Sequence, residues 1–268
     1  MNLAILDFTV YGNRYDPESD ALLEAAAQRL DVEAETVFVA REQAAAIAPR
    51  AACVWLRYDL RSPADLELVV ALARRLEREG RRVFPSAAAI VATEDKWETC
   101  LVLQRDGVAV PETALAMEWA RFPLPIIVKP RVGWGGIGTA IVRDAAELER
   151  ARALLDEEHI CQPFIASTRT LVVALADGRE IACIEDFAGL STDGRTRTVP
   201  MPPDAAALAA RALEATGLVA GTVDMIETPG GLRVLEVNSS PRITYPHLPA
   251  VDLATPMVAA VVGKVFRS

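Results

Sequence analysis

Apolar runs alternate with helical spacing along the first 86 residues. LAILDFTV, residues 3–10, is a nearly continuous apolar run, which is typical of a strand buried on both faces of a parallel sheet. Apolar positions three and four apart predict one helix over 17–30 and another that begins after Ser62 and ends at Gly80. Three further strands are predicted at 32–40, 53–57 and 82–84. This alternation predicts an α/β fold that begins with a doubly wound, Rossmann-like lobe.

Shorter elements follow in the rest of the chain. A helix is predicted over 93–107, with Thr93 as its N-cap, Lys96 in its first turn and Gly107 at its end. The other predicted elements are strands near 111–116, 125–130, 139–142, 160–165, 221–228 and 232–238, helices over 144–158, 203–216 and 252–265, and a hairpin that turns at Asp177-Gly178.

Charge and cysteine usage exclude several classes of protein. The chain has 268 residues, and its 37 acidic against 28 basic residues give a net charge of −9, which is poorly suited to sequence-independent nucleic-acid binding. No apolar stretch approaches ~18 residues, and the N-terminus looks like a strand instead of a signal peptide, so we expect a cytoplasmic protein without a membrane span. The scattered cysteines indicate buried thiols and no zinc site; they are Cys53, Cys100, Cys161 and Cys183.

A glycine-rich segment follows the strand at 125–130. Gly133, Gly135 and Gly138 match G-x-G-x-x-G, but a dinucleotide site requires a helix after that motif, and here another strand, TAIV, follows. Together with Gly136, these residues instead predict a flap whose backbone N–H groups close over phosphates. The alternative is a mobile hairpin turn that binds nothing.

Lysine is rare among the basic residues of this chain. Only three of the 28 are lysines, and a retained lysine marks a position that requires a compact ammonium, unless codon usage alone explains the count. Lys129 ends a buried strand just before the flap, where it can neutralise polyphosphate charge; the alternative is a solvated strand end. Lys96, taken alone, looks like a surface residue.

Acidic and amide side chains recur on the last two predicted strands. Glu236 and Asn238 point to the same face because strand side chains alternate, and Asp224 reaches that face if the two strands pair. Two carboxylates and an amide oxygen suit Mg²⁺ that carries nucleotide phosphates. A polar strand face toward solvent is the alternative.

The order of these segments resembles a known family. TEDKWET at 93–99 and PIIVKPRVGWGGIG at 125–138 are followed by CQPFI at 161–165, GTVDMI at 221–226 and LEVNSSPR at 235–242. This order is similar to that of the ATP-grasp superfamily, and within it of the ribosomal-protein-S6-modification and glutathione-synthetase-like ligases. The resemblance spans at least residues 85–255.

The resemblance implies an ATP-grasp fold with ATP and Mg²⁺ as its cofactors. It implies an N-terminal Rossmann-like lobe (1–90), a small central α+β lobe (91–162) and a C-terminal α+β lobe (163–268). The implied ATP-binding groups are Lys96, Lys129, the flap glycines Gly133, Gly135, Gly136 and Gly138, and the hinge backbone of Gln162, Pro163, Phe164 and Ile165. The implied Mg²⁺ ligands are Asp224, Glu236 and Asn238, with Arg169 and Lys129 near the reacting phosphate.

The implied activity is ATP-dependent ligation of a carboxylate to an amine through an acyl phosphate, with release of ADP and phosphate. Arg195, Arg197 and Arg242 are candidates for binding a small-molecule or peptide carboxylate. Arg242 stands where the family has glycine, and the segment before Arg169 lacks the acid that the family uses for the ribose. Two alternatives stay open: an ATP-binding partner module without turnover, and a bicarbonate-using ATP-grasp carboxylase. A homo-oligomer is compatible with the sequence.

Overall fold

The computed structural model describes residues 1–9, 16–133, 135–167, 169–186, 196–245, 248 and 251–267. The strands are β1 Asn2–Thr9, β2 Glu33–Ala40, β3 Cys53–Asp59, β4 Arg82–Phe84, β5 Ala114–Leu115, β6 Ile126–Pro130, β7 Ala140–Val142, β8 His159–Pro163, β9 Thr170–Ala176, β10 Arg179–Asp186, β11 Thr196–Val199, β12 Ala220–Thr228 and β13 Gly231–Asn238. The α-helices are α1 Pro17–Arg29, α2 Pro63–Arg78, α3 Ala87–Glu94, α4 Lys96–Arg105, α5 Ala145–Arg150, α6 Pro203–Ala215 and α7 Ala254–Val261.

The first sheet is parallel throughout and has the order β2-β1-β3-β4. The helices between its strands begin where the sequence predicts. Asp16 caps α1 by accepting from Ser19 N–H at 3.2 Å, and Ser62 caps α2 by accepting from Asp65 N–H at 3.2 Å. Proline occupies the start of both helices, where its missing N–H costs nothing. The predicted doubly wound lobe is therefore confirmed.

The helix predicted over 93–107 is two helices, so Thr93 is not its N-cap. Thr93 lies in the last turn of α3, which the sequence did not predict, and its hydroxyl donates to Ala89 O at 2.8 Å. Asp95 is the cap instead, because its carboxylate accepts from Trp97 N–H at 3.0 Å and Glu98 N–H at 3.4 Å. Lys96 becomes the first residue of α4. The predicted lobe boundary at residue 90 falls within α3.

The central sheet is antiparallel, with the order β5-β8-β6-β7. β6 and β7 form a hairpin in which Val128 pairs with Ala140, and the glycine-rich segment is the turn between them. This strand–turn–strand arrangement confirms that the G-x-G-x-x-G match does not lead into a helix. The helix predicted over 144–158 is shorter, since α5 ends at Arg150 and a 3₁₀ turn, Arg152–Leu154, follows.

The C-terminal sheet has the order β11-β10-β9-β12-β13, and its edge strand β11 was not predicted. α7 packs on both this sheet and α1, and it continues as a π-helical turn, Val262–Phe266, to the end of the predicted last helix. One apolar core consequently joins the first and last lobes. Its members include Ile5, Leu23, Trp55, Val173, Val223 and Val258.

Candidate functional site

Two carboxylates face each other across the β12–β13 pair. Asp224 lies directly opposite Glu236, as the predicted pairing requires, and Asn238 lies opposite Thr222 two positions further along β13. Asn238 Nδ2 donates to Asp224 Oδ1 at 3.4 Å. All three side chains are half-buried. The structure thus brings the three predicted oxygen-bearing residues onto one face of the C-terminal sheet.

Lys96 spans the gap between the central and C-terminal sheets. Its Nζ lies 3.1 Å from Glu236 Oε1. The same ammonium donates to the backbone carbonyl of Gly133 at the base of the flap. Lys96 is therefore largely buried within the candidate site and is not the surface residue that it looks like in isolation.

Lys129 lies near the end of β6, beside this carboxylate pair. Burial lowers the pKa of Lys129 below its usual value, and the neighbouring Lys96 ammonium lowers it further, whereas Glu236 and Asp224 raise it. Two ammonium groups and two carboxylates therefore share one half-buried region. A polyphosphate entering this region gains the lysines as partners in surroundings where charges interact more strongly than in bulk water.

The flap projects from the lysine-bearing strand. Gly135 to Gly138 are exposed at its tip. Gly138 has a φ of +75°, and a Cβ at this position would lie 2.8 Å from Pro130 Cγ, so the turn has no room for a side chain there. Glycine is therefore required at Gly138 for the turn to close against Pro130.

The predicted hinge leaves β8 between the central and C-terminal sheets. Gln162 is buried, and its Nε2 donates to Thr113 Oγ1 at 2.9 Å. Pro163 pairs with Ile126 on β6, and Phe164 N–H donates to Pro125 O at 3.0 Å. The Gln162 side chain therefore bonds within the lobe. A nucleotide beside this segment, which ends at Ile165, would contact its backbone.

Two of the predicted arginines share a buried acid that the sequence did not single out as their partner. Glu185 Oε1 lies 2.6 Å from Arg169 Nε, and Glu185 Oε2 lies 2.8 Å from Arg197 Nε. The hydrogen bond from Arg197, with that from Arg169, holds the pKa of Glu185 below its usual range. Residues opposite one another share a face, so Glu185 and Arg197 lie on the side of the sheet opposite Asp224.

The loop after β13 is fastened to the N-terminal lobe. Tyr58 N–H donates to Ser240 Oγ at 3.2 Å, and Ile243 N–H donates to Ser19 Oγ at 2.8 Å. Arg242, between these anchors, has an exposed side chain whose Nε lies 3.9 Å from Asp16 Oδ2. Arg195 lies outside the described residues. Substrate binding by these three arginines therefore stays a prediction.

Glu94 lies next to the candidate site, although the motifs did not indicate it. Ser239 Oγ, directly after Asn238, donates to Glu94 Oε1 at 2.9 Å and also lies 2.6 Å from the Tyr58 hydroxyl. Burial raises the pKa of Glu94 to about 7, and the Glu236 carboxylate contributes in the same direction. One signal for Glu94 was present in the sequence, its position two residues before Lys96. The spacing otherwise predicted that Glu94 belongs to one continuous helix over 93–107.

Among the described residues, no three His, Cys, Asp or Glu side chains cluster closely enough to hold a metal ion, and the set of Asp224, Glu236 and Asn238 contains only two carboxylates. No helix in the described ranges is long and apolar enough to span a bilayer. The four cysteines are free and buried, as predicted.

Comparison with known proteins identifies the family. Residues 93–246, more than half of the chain, match the ATP-grasp domain family. The chain belongs to the ATP-grasp family. The matched range contains both site lysines, the flap, the hinge and the three oxygen-bearing residues of β12 and β13, so the resemblance suggested by the sequence is confirmed.

Individual ATP-grasp proteins show how far the similarity extends. A probable alpha-L-glutamate ligase of Desulfotalea psychrophila is 30% identical over 209 residues, which cover 69% of this chain but only 43% of that protein. A D-cycloserine synthetase has a TM-score of 0.78 at 20% identity and covers 99% of this chain and 100% of its own. The D-alanine–D-alanine ligase of Bacillus anthracis, solved with ATP, has a TM-score of 0.74 at 16% identity and covers 100% and 97%. The two structures share the ATP-grasp fold with this chain.

Proposed function

We propose that this chain is an ATP-dependent carboxylate–amine ligase. The observation that carries the proposal is the convergence of Lys96, Lys129 and the flap on the carboxylate pair Asp224 and Glu236. These groups come from helix α4, the central sheet and the C-terminal sheet, and they meet between the two sheets. Cations and bare backbone on one wall, with acids on the other, match the needs of a triphosphate and its accompanying metal ion.

We place ATP between these groups in one orientation. Lys96 and Lys129 supply the positive charge for the phosphates, and the flap from Gly133 to Gly138 lies over them. The backbone from Gln162 to Ile165 supplies the hinge beside the adenine. Lys129 serves this purpose well because it lies near the end of a strand in a half-buried position, where its charge is less screened than at the surface.

Asp224, Glu236 and Asn238 fit Mg²⁺. The donor set is oxygen-rich, and Glu236 already attracts one cation, the Lys96 ammonium at 3.1 Å. When bound, Mg²⁺ supplies charge neutralisation for the transferred phosphoryl group. The chain's own contribution is to hold two carboxylates opposite each other on paired strands, which a rigid sheet does with little freedom.

The proposed reaction has two steps. An oxygen of the substrate carboxylate attacks the γ-phosphorus of ATP, the bond to the β-phosphate oxygen breaks, and ADP leaves. The amine nitrogen then attacks the acyl carbon, the bond to the phosphate oxygen breaks, and the amine loses a proton as the amide forms. No protein nucleophile takes part. Catalysis rests on positioning and on charge stabilisation by the lysines.

Amino acids or peptides are the proposed substrates, and the reducing cytosol is the proposed compartment because four free thiols are buried. Arg242 is the proposed contact for a substrate carboxylate, since its side chain is exposed on the loop that follows the metal-binding strand. Arg195 is proposed to favour acidic substrates. Arg197, in contrast, pairs with Glu185 on the face opposite Asp224 and is assigned no contact with a substrate bound there. Arg169, which the family resemblance puts near the reacting phosphate, pairs with Glu185 on the face of the sheet opposite Asp224, so we assign it no phosphate contact.

ADP release on a panel of amino acids and peptides, with product masses measured in parallel, tests the proposal. A ligase gives sustained ADP release over many turnovers only when both a carboxylate and an amine are present, and the product mass equals that of the two substrates minus water. ADP formation that depends on bicarbonate would indicate a carboxylase instead. Nucleotide binding without ADP release on any substrate pair would indicate a binding module.

A further inference from the structure

Asp95 and Arg131 form a bidentate ion pair at the base of the flap. Arg131 Nε lies 3.1 Å from Asp95 Oδ1, and Arg131 Nη2 lies 2.6 Å from Asp95 Oδ2. Only 11% of the Asp95 side chain and 26% of the Arg131 side chain are exposed. A two-point contact between planar groups fixes orientation as well as distance, so this pair can hold two segments in one relative position.

The pair joins the two segments that carry the site lysines. Asp95 directly precedes Lys96, and Arg131 follows Lys129 by two residues. The Lys96 N–H also donates to Arg131 O at 2.9 Å, so a backbone bond and a side-chain pair act between the same segments. Arg131 N–H donates to Glu158 O at 2.9 Å, which ties this point to the start of β8.

Asp95 also sets the direction of α4. The chain leaves α3 through Asp95 in an extended conformation, with φ −97° and ψ 107°, and the Asp95 carboxylate caps the new helix. The first turn of α4, which begins with Lys96, therefore starts from a point that Arg131 holds. From there the Lys96 ammonium reaches Gly133 O and Glu236.

We propose that the Asp95–Arg131 pair positions Lys96 relative to Lys129 and the flap, and so prepares the phosphate site before nucleotide binds. This inference rests on the proposed function. Asp95 and Arg131 act through Lys96, so they are positioning residues and not catalytic ones. Preorganisation of this kind reduces the ordering that binding would otherwise require.

Asp95→Asn is the most informative variant, because asparagine caps a helix as well as aspartate does but cannot form the ion pair. Arg131→Lys keeps the charge and loses the two-point geometry. Arg121→Gln is the matched control, since Arg121 forms an exposed pair with Glu118 at 2.9 Å in the same lobe. The dissociation constant of a fluorescent ATP analogue with Mg²⁺ is measured for each variant, together with its Tm.

We expect Asp95→Asn to weaken nucleotide binding about tenfold, as is common for one member of a coupled network. Arg131→Lys should recover only part of that loss, and Arg121→Gln should change nothing. In a Lys96→Met background, Asp95→Asn should weaken binding much less, because the pair acts through Lys96. A general structural role would lower Tm and leave this coupling at zero.

An unchanged affinity in Asp95→Asn, with a wild type that binds the analogue, would overturn the inference. Full additivity with Lys96→Met would overturn it as well. If Asp95→Asn does not fold, Arg131→Lys takes its place, and an affinity equal to that of wild type is then the contrary result. A wild type that binds no nucleotide would refute the proposed function instead.

Discussion

The carboxyl of Glu94 should make the stability of this protein fall as the pH rises toward neutrality. Burial is the largest cause that raises its pKa to about 7, and Glu236 adds to it, whereas the hydrogen bond from Ser239 and the Lys96 ammonium act in the opposite direction. Glu94 lies where α3 meets the loop after β13 and the N-terminal lobe through Tyr58.

Three hydroxyl groups connect Glu94 to the neighbouring elements. Ser239 Oγ lies 2.6 Å from the Tyr58 hydroxyl, 2.8 Å from Thr93 Oγ1 and 2.9 Å from Glu94 Oε1, and Thr93 Oγ1 lies 2.8 Å from Ala89 O. Glu94 thus lies at the end of a network of hydroxyl groups that joins α3 to the loop after β13 and to the N-terminal lobe.

The size of the effect follows from linkage. The pKa of Glu94 is about 7 in the folded chain against an ordinary value of 4.5, so the folded state binds the proton more tightly than the unfolded state does. The stabilisation is fully present below about pH 4.5 and is lost as the pH rises through about 7. Each unit of difference between the two pKa values corresponds to about 1.36 kcal/mol, so the contribution of Glu94 to the free energy of unfolding has an upper limit of roughly 3 kcal/mol. The actual contribution is smaller because the side chain is only half-buried.

Urea unfolding of wild type and Glu94→Gln between pH 4.5 and 8 measures this contribution. Glutamine cannot ionise, so the wild type should lose stability relative to the variant as the pH rises. Glu67→Gln is the control, because Glu67 is exposed on α2 and its removal changes the net charge equally. If the free energy of unfolding depends on pH in the same way for wild type and Glu94→Gln, the reasoning is refuted. If Glu67→Gln diverges from wild type as much as Glu94→Gln does, the effect is due to net charge.

Three further predictions concern the flap, the carboxylates and the arginines. Glu236→Gln should lower ADP release on the order of 10²–10³-fold with little change in Tm, and near-normal turnover would place the metal site elsewhere. Gly138→Ala should weaken nucleotide binding because its Cβ meets a proline ring at 2.8 Å, whereas Gly230→Ala, with no neighbour closer than 3.6 Å, should not. Arg197→Gln should cost about 1 kcal/mol at pH 7 in urea unfolding. That variant should also lose less stability in acid, because Arg197 lowers the pKa of Glu185 and so stabilises the fold only above the carboxyl's ordinary pKa.

Periodicity and spacing predicted most of the fold and the site's main groups. Alternation along β13 placed Glu236 and Asn238 on one face, and their pairing with β12 brought Asp224 opposite, as expected. The strand after the flap excluded a dinucleotide site, and the structure shows the hairpin. These features depend on short-range geometry, which the sequence encodes directly.

Contacts between segments distant in sequence were not predictable in the same way. Thr93 is a good capping residue, but Asp95 is the cap of α4. The Asp95 carboxylate also pairs with Arg131, 36 positions away. The pairing of Glu185 with Arg169 and Arg197 could not be predicted, because it arises only when three strands align. Glu94 acquires its role from Ser239, 145 positions later. Such contacts depend on tertiary packing.

Hydrogen exchange with and without a non-hydrolysable ATP analogue and Mg²⁺ tests the central claim most directly. We predict slower exchange in the flap from Gly133 to Gly138, in the hinge from Gln162 to Ile165 and at the ends of β12 and β13, with the N-terminal sheet unchanged. Protection confined to the N-terminal sheet, or no protection anywhere at saturating analogue, would contradict the placement of ATP between the central and C-terminal lobes.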